Sequence, residues 1–281
     1  MQNIELSQVY APLIKKLKRR RTLIFSVYIT AIILTFLATL NISVYFPPFI
    51  QFEKQGNFPL FIVLILIEVL AFVFLRIILV DIPVTNSMNT ECDSKKFLIL
   101  TASLNSKMTL SHNAAVGFFH DGNYLASRYW ASEGMNTTKD KYRRLLLLAL
   151  MGFCEYFLGN FSNLEAATFE FEKALNENKK IKGKKLKTLN TELKVLKLLL
   201  AVSKGDTAAL LELGKIPPVN KNIPISVCYS YFLNGLSSFT LQNYDDAFYR
   251  MQYVKENMSK TAFLEIANSY IQKIKEINAS K

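Results

Sequence analysis

Side chains that commonly carry catalysis are few and scattered in this sequence. His112 and His120 are its two histidines, and Cys92, Cys154 and Cys228 are its three cysteines. None belongs to an HExxH, CxxC, GxSxG or P-loop motif, and the acidic residues form no paired constellation. The sequence therefore predicts no enzyme, no cofactor and no metal site. An odd number of widely spaced cysteines further predicts reduced, buried thiols, which suits a cytosolic compartment.

Positive charge is the second chemical feature of the chain. The formal net charge is +12 over 281 residues, which is compatible with nucleic-acid binding. Much of the charge lies in two blocks. The first directly precedes an apolar stretch, as a membrane-topology determinant does, and comprises Lys15, Lys16, Lys18, Arg19, Arg20 and Arg21. The second lies in a predicted connector and comprises Lys179, Lys180, Lys182, Lys184, Lys185 and Lys187.

Two long apolar stretches predict a transmembrane helical hairpin. Residues 22–46 carry no charged side chain, and residues 58–80 carry only Glu68 and Arg76. Each stretch reaches the roughly 20 residues that a helix needs to cross about 30 Å of hydrocarbon, where the backbone finds no other hydrogen-bond partner. The first stretch is too long for the apolar region of a signal peptide and is followed by no cleavage pattern, so we expect a retained anchor.

Flanking charge predicts the orientation of this hairpin. Six basic residues precede the first stretch, whereas the connecting segment contains Lys54 alone, and positive charge resists translocation. We therefore expect both termini in the cytosol. The predicted parts are a basic segment at 1–21, the hairpin at 22–83 and a cytosolic helical domain at 84–281 that opens with a short polar linker. Heavy use of Lys, Asn and Ile suggests an AT-rich genome and a bacterial plasma membrane, with an organellar membrane as the alternative.

Glu68 lies in the middle of the second stretch, where a charged side chain costs about 2.5–3.5 kcal/mol. Thr30 and Thr35 of the first stretch lie at a similar depth in an antiparallel hairpin. One interpretation is an ion relay, a sensor or an oligomer contact. The other is a glutamic acid that is hydrogen-bonded to a threonine within the hairpin. We favour the second, because two spans with one acid cannot form a transport path.

The remainder of the chain has the pattern of an all-α protein. Helix-length apolar segments alternate with short breaks, and no segment shows sustained strand-type alternation. Four of the breaks have a related sequence: Gly122-Asn123-Tyr124, Gly159-Asn160-Phe161, Gly205-Asp206-Thr207 and Gln242-Asn243-Tyr244. They recur at intervals of 37, 46 and 37 residues. Each follows one predicted helix and precedes another.

This arrangement resembles the tetratricopeptide repeat (TPR), a helix-turn-helix unit of 34 residues with small residues where its two helices cross. The resemblance covers about residues 111–257 in four units. The residues that carry it are Ala115, Tyr124 and Ser127 in the first unit, Gly152, Phe161, Ala167, Phe171 and Ala174 in the second, and Gly235, Tyr244 and Ala247 in the last. The third unit has Thr207 and Leu210 in place of the aromatic and the small residue. An unrelated helical bundle is the alternative to this TPR-like α-solenoid.

The resemblance implies a concave groove that the first helices of the units would line. The groove-facing positions would be His112, Val116, Phe119, Phe153, Tyr156, Phe232, Leu236 and Phe239. Such an aromatic and aliphatic lining suits an apolar peptide or a partner helix. In the alternative interpretation these residues form core, and the amphipathic segment at 260–281, which is expected to cap the array, covers them.

The lysine block from Lys179 to Lys187 has three interpretations, which we rank in order. It is a solvated connector, a surface for anionic lipid headgroups worth about 1 kcal/mol per residue, or a contact for nucleic acid. The last has no accompanying nucleic-acid motif.

Three functions follow from these features. The favoured one is a non-enzymatic scaffold or adaptor that is tethered to the membrane and binds a protein or peptide partner at its cytosolic surface. The second is a peptide-sensing membrane regulator that relays binding to the hairpin. The third is an accessory subunit of a membrane transport or secretion complex, in which the hairpin makes the functional contact.

Overall fold

The computed structural model describes residues 2–45, 57–104 and 107–280. These residues are helical almost throughout, and the described ranges contain no β-strand beyond a single bridge between Asp93 and Lys260. The all-α class predicted from the sequence is therefore confirmed. Contacts divide the chain into two compact units, Met1–Thr85 and Asn86–Lys281.

The first unit consists of two long helices and a short continuation. Helix α1 covers Gln2–Tyr45 and α2 covers Asn57–Arg76, and a π-helical turn at Ile77–Asp81 leads into α3 at Ile82–Asn89. The two long helices contact each other, for example through the rings of Tyr28 and Phe72, whose centroids are 4.5 Å apart.

Two stretches of this unit, Val9–Leu37 and Ile62–Asn89, are long and apolar enough to cross a membrane. In the most apolar window of the second stretch no residue is buried, and in that of the first only 6% of the residues are. A helix in the core of a soluble protein would bury most of such a window, because burial of apolar area is what holds it in place. Both helices thus have the length, the composition and the exposed apolar surface of membrane spans.

The ends of these helices differ from the sequence-based prediction. Helix α1 begins at Gln2 and contains both the basic block and Pro12. The polar linker predicted after Pro83 is helical as far as Asn89. A proline lacks an N–H and normally interrupts a helix. Here the π turn lies just before Pro83, and the N–H of Ile82 donates to the carbonyl of Ile77. The backbone hydrogen bonds thus shift from the carbonyl four residues earlier to the one five residues earlier. Such a shift is common where the hydrogen-bond pattern of a helix is interrupted, and it lets the helix continue.

The second unit is a succession of helices, each of which packs against the next. In chain order they are α4 (Ser94–Leu104), α5 (Lys107–His120), α6 (Tyr124–Thr137), α7 (Lys141–Phe157), α8 (Phe161–Glu177), α9 (Gly183–Ser203), α10 (Thr207–Leu213), α11 (Pro224–Thr240), α12 (Tyr244–Asn257) and α13 (Phe263–Ala279). Helix α7 also contacts α5 and α9. We call α5, α7, α9 and α11 the first helices, and α6, α8, α10 and α12 the second helices, of four pairs.

Within each of the four pairs, a turn joins the first helix to the second, and the four turns have the same backbone geometry. The residue with positive φ is Gly122, Gly159, Gly205 or Gln242, with φ between 61° and 85°. In every turn the N–H of this residue donates to the carbonyl three residues earlier, and the next N–H reaches back five residues. Glycine adopts the left-handed backbone conformation without strain, whereas other residues are strained in it. The glycine of the Gly-Asn-aromatic pattern therefore favours this turn.

The residue after each positive-φ position precedes the second helix. Asn123 and Asp206 accept a hydrogen bond from the N–H groups of Ala126 and Ala209, as N-caps commonly do. Asn243 accepts one from Asp246 in the same way. The turn thus ends one helix and starts the next within three residues.

Small residues allow neighbouring helices to approach closely, both within a pair and between pairs. A side-chain carbon at Gly235 of α11 would lie 3.0 Å from the Cε atom of Met251 in α12, and one at Gly152 of α7 would lie 2.8 Å from Leu196 in α9. The hydroxyl of Ser127 donates to the carbonyl of Ala115 at 2.7 Å, which joins α5 to α6.

The connection between α12 and α13 returns to the beginning of the second unit. Lys260 accepts a hydrogen bond from the Ser94 hydroxyl at 3.0 Å, and its amine forms an ion pair of 3.3 Å with the buried carboxylate of Asp93. The N–H of Ala262 donates to the carbonyl of His120 at 2.9 Å. These contacts hold the start of α13 against the end of α5, so α13 covers the side chains of the first helices.

Candidate functional site

The predicted groove residues Phe119, Phe153 and Phe232 are buried. Their rings belong to an aromatic cluster that we define as Phe119, Phe153, Phe157, Tyr229, Phe232 and Phe263. Phe263 of α13 lies at its centre, with ring centroids 4.7 Å from Phe232 and 6.0 Å from Phe119. The three predicted residues are therefore part of the core of the second unit.

The other three members of this cluster, Phe157, Tyr229 and Phe263, were not predicted from the sequence. Phe157 lies four residues after Phe153 on α7, and Tyr229 lies three residues before Phe232 on α11. Both spacings place the side chains on the same helix face as the predicted residue, so the helical period was a usable signal. Phe263 could not be assigned in this way, because its contacts depend on how α13 returns to α5.

The remaining predicted groove residues are partly exposed. They are His112, Val116, Tyr156, Leu236 and Phe239. Phe239 contacts Tyr270 of α13 edge to face, with ring centroids 4.7 Å apart. Tyr156 contacts Phe157 in the same manner at 5.5 Å. Helix α13 thus occupies part of the face on which the groove was predicted.

Several polar atoms around the aromatic cluster are buried without a hydrogen-bond partner among the described residues. They include the hydroxyls of Tyr124 and Tyr229 and the Nδ1 atoms of His112 and His120. Burial lowers the pKa of His120 to about 4 and raises the pKa of Tyr124 to about 12. Both groups are consequently neutral at physiological pH, and neither is placed to exchange a proton with a neighbouring acid or base.

Two glutamates of the second unit have contrasting surroundings: Glu155 is buried, and Glu192 is partly exposed. The carboxylate of Glu155 on α7 is held by Arg128 at 3.0 Å and by the side-chain amide of Asn160 at 3.0 Å. Glu192 on α9 has no cationic partner within the described part of the chain, and burial raises its pKa to about 7. Burial raises the pKa of Tyr229 well above its ordinary value, and the charge of Glu192 adds to this rise.

The three thiols differ in acidity, since a hydrogen bond from Cys228 lowers the pKa of Cys92. Cys92, Cys154 and Cys228 are free and buried, as the sequence predicts. Burial raises the pKa of Cys154 to about 11, which disfavours the reactive thiolate. Within the described ranges, no group of three or more His, Cys, Asp or Glu side chains could hold a metal ion.

Large exposed apolar side chains in the second unit have a regular distribution. Every second helix carries at least one: Leu125 and Tyr129 on α6, Phe161 and Phe169 on α8, Leu211 on α10 and Tyr249 on α12. Phe169 is 70% exposed and Tyr129 is 60% exposed. The first helices have none among their described side chains. The available apolar surface therefore lies on the second helices, away from the predicted groove positions.

The six lysines of the predicted basic patch, from Lys179 to Lys187, are all exposed. The amine of Lys185 lies 5.1 Å from the centre of the Tyr142 ring. A cavity of about 530 Å³ adjoins this segment. It is lined by Gly183, Leu186, Lys187, Asn190, Thr191, Lys194, Ile216 and Pro217.

Glu68 of α2 is paired within the hairpin. The hydroxyl of Thr35 on α1 donates to its Oε1 atom. Its Oε2 atom is buried and has no hydrogen-bond partner among the described residues. The hydrogen bond between Thr35 and Glu68 thus connects the two long helices.

Comparison with known proteins gives no relative for this arrangement: no family model, curated protein or solved structure matches the chain.

Proposed function

We propose that this protein is a membrane-tethered, non-enzymatic adaptor. In this proposal α1 and α2 anchor the chain in a bilayer, and the helical domain binds a protein partner at the membrane surface. The observation that carries the proposal is the row of exposed apolar side chains on α6, α8, α10 and α12.

Exposed aromatic residues favour protein binding over a purely structural role. Single apolar residues are common on protein surfaces. Phe169 and Tyr129, however, expose a large apolar area to water, and a partner could cover it. Tyrosine and other aromatic residues are also enriched among those that dominate binding energies. The partner is therefore expected to present an apolar surface with a polar rim.

The repeated turns support a TPR-like array as the scaffold. Four turns share one backbone geometry at Gly122, Gly159, Gly205 and Gln242, and each joins two antiparallel helices. Arrays of this kind stack each unit on its neighbours and so present a long surface to a partner. The aromatic cluster fills the face of the first helices, which leaves the second helices as the binding surface.

The basic block before the first apolar stretch supports a cytosolic location for both termini, since positive charge resists translocation. The plasma membrane of a bacterium is the proposed location. The non-enzymatic part of the proposal is supported by the lowered pKa of His120 and the raised pKa of Cys154, both caused by burial.

Site-specific photocrosslinking in the native membrane tests the proposal. A photoreactive amino acid replaces Phe169 or Tyr129 in the full chain, and Glu170, which is exposed beside Phe169, serves as the matched control position. One protein is expected to crosslink from both aromatic positions and not from Glu170. The double variant Phe169→Ser, Tyr129→Ser should lose that protein while keeping the helical content of the parent. Retention of the partner by a folded double variant, or crosslinking from Phe239 instead, would contradict the proposed surface.

A further inference from the structure

The lysine segment at 179–187 differs in its pairing from several lysines elsewhere in the helical domain, including those that follow it on α9. Lys194, Lys197, Lys204, Lys215 and Lys260 each form an ion pair with a carboxylate. None of the six lysines of the segment does so within the described part of the chain. The fold has thus gathered uncompensated positive charge at one place.

The position of these lysines at the start of helix α9 is electrostatically unfavourable in the absence of a bound anion. Lys182 occupies the N-cap position and forms no side-chain capping bond, and the first turn contains no acidic residue. Lys184, Lys185 and Lys187 follow within the first five residues. The N-terminus of a helix carries a partial positive charge, so cations are disfavoured and anions are favoured there. A bound anion would relieve both the repulsion among the lysines and the unmatched helix end.

The adjoining cavity supplies a place for such an anion. Lys187 and Asn190 line one side of it and offer an amine and an amide donor, next to Thr191, whose hydroxyl donates to the Lys187 carbonyl, and Lys194, whose amine is paired with Glu212. Leu186, Ile216 and Pro217 supply an apolar wall. This combination of donors for a phosphate and an apolar wall matches an amphiphilic anion better than the uniformly polar backbone of a nucleic acid.

We propose that the cavity at the start of α9 binds the phosphate-bearing headgroup of an anionic membrane lipid, with the lysine segment against the surrounding surface charge. The inference rests on the proposed membrane tether, since that tether keeps the helical domain within reach of a bilayer. Phosphate oxygens accept from the amine of Lys187 and the side-chain amide of Asn190, and the glycerol portion lies against Leu186 and Ile216. Each lysine near an anionic surface is expected to strengthen binding by about fivefold.

Amine labelling of the full chain in nanodiscs tests the site. The protein is inserted into discs of phosphatidylcholine alone and into discs with about a third of phosphatidylglycerol. The labelling rate of each lysine is measured by mass spectrometry at low and high salt. Labelling of Lys184, Lys187 and Lys194 should slow by about fivefold in the anionic discs and recover at high salt. Lys197 and Lys204, which are paired to Glu172 and Glu165, serve as internal references.

A pair of triple variants supplies the control. Lys184→Gln, Lys185→Gln, Lys187→Gln should abolish the lipid-dependent protection of Lys194. Lys197→Gln, Lys204→Gln, Lys215→Gln removes the same charge from paired positions and should preserve the protection. Equal labelling in both disc types would overturn the headgroup site, as would equal protection by inorganic phosphate, or by a short single-stranded oligonucleotide, in phosphatidylcholine discs.

Failure of this inference can be told apart from failure of the tether. Extraction of the chain from the discs at alkaline pH contradicts membrane insertion and with it the adaptor proposal. A chain that stays inserted, but whose lysines label at the same rate in both lipids, contradicts the headgroup site alone.

Discussion

At the scale of single residues, the contrast between Glu155 and Glu192 shows how surroundings decide the state of an acid. Glu155 keeps its charge beside Arg128 and Asn160, because an opposite charge and a hydrogen-bond donor offset the loss of water. Glu192 has no such partner in the described ranges, so burial raises its pKa to about 7. Near neutral pH this acid is therefore divided between its two protonation states.

Replacement of Glu192 by glutamine should change how stability depends on pH. The folded protein holds the Glu192 proton more tightly than the unfolded chain, whose pKa is near 4.5. This group therefore contributes most to the free energy of unfolding below pH 4.5, and the contribution falls as the pH rises towards about 7. Glu192→Gln should abolish that fall, measured as the difference in unfolding free energy between mildly acidic and mildly alkaline buffer.

The exposed Glu170→Gln variant is the control for the removal of one carboxylate. His120 acts in the opposite direction, since its lowered pKa favours the folded state at higher pH, but it is present in all three proteins. The same pH dependence in Glu192→Gln and in the parent would show that Glu192 is solvated.

Sequence alone could not single out Glu192. On α9 it is the one glutamate among lysines and leucines, and nothing in its neighbourhood along the chain indicates that its carboxyl group is withdrawn from water. Its surroundings are set by Tyr142 and Tyr229, which come from two other helices. Glu68 is the opposite case: a lone acid in an apolar stretch is conspicuous in sequence, and Thr35, its hydrogen-bond partner here, was one of the two threonines at the expected depth.

At the scale of elements, the four turns between paired helices account for much of the second unit. Three of them place a glycine at the left-handed position, and the fourth places Gln242 there with φ of 61°. A non-glycine residue in this conformation costs about 1–2 kcal/mol, part of which glycine would offset by its greater freedom in the unfolded chain. The last turn is therefore the strained member of the set.

Exchanging residues at two of these turns should have opposite effects. Gln242→Gly is expected to stabilise the protein by about 1 kcal/mol, and Gly159→Ala to destabilise it by a similar amount. Gly159 is suitable because a side-chain carbon there would meet no atom within 4 Å, so only the backbone is tested. Chemical denaturation monitored by the fluorescence of Trp130, the single tryptophan, gives both values.

Gln242→Ala keeps a side chain at the left-handed position and is the matched control. It should leave stability close to that of the parent. A stabilisation by Gln242→Ala as large as that by Gln242→Gly would mean that backbone strain is absent from this turn.

The turns were predictable because their signal is local: three consecutive residues encode a positive φ and a helix start. The helix ends of the first unit were less predictable. Pro83 indicated a boundary, but a π turn at Ile77–Asp81 shifts the hydrogen-bond register and the helix continues to Asn89. Whether a proline ends a helix depends on the ladder before it, which composition does not reveal.

At the scale of the whole molecule, two units with different surfaces share one chain. The first has two helices with the length and exposed apolar surface of membrane spans. The second has an aromatic core, exposed apolar residues on its second helices and a basic segment at the start of α9. The sequence indicated both units, because long apolar stretches and recurring turns are local patterns. It could not reveal that α13 returns to α5 and covers part of the predicted groove, since that contact joins residues far apart in the chain.

In the proposed topology a two-span anchor keeps the helical domain on the cytosolic side, and cysteine accessibility in intact cells distinguishes this topology from its alternatives. The three native cysteines are buried, so a single cysteine is introduced by Gln51→Cys, between the apolar stretches, or by Lys179→Cys, in the exposed basic segment. A membrane-impermeant maleimide should label Gln51→Cys in intact cells and Lys179→Cys only after permeabilisation. Labelling of Lys179→Cys in intact cells would contradict the account.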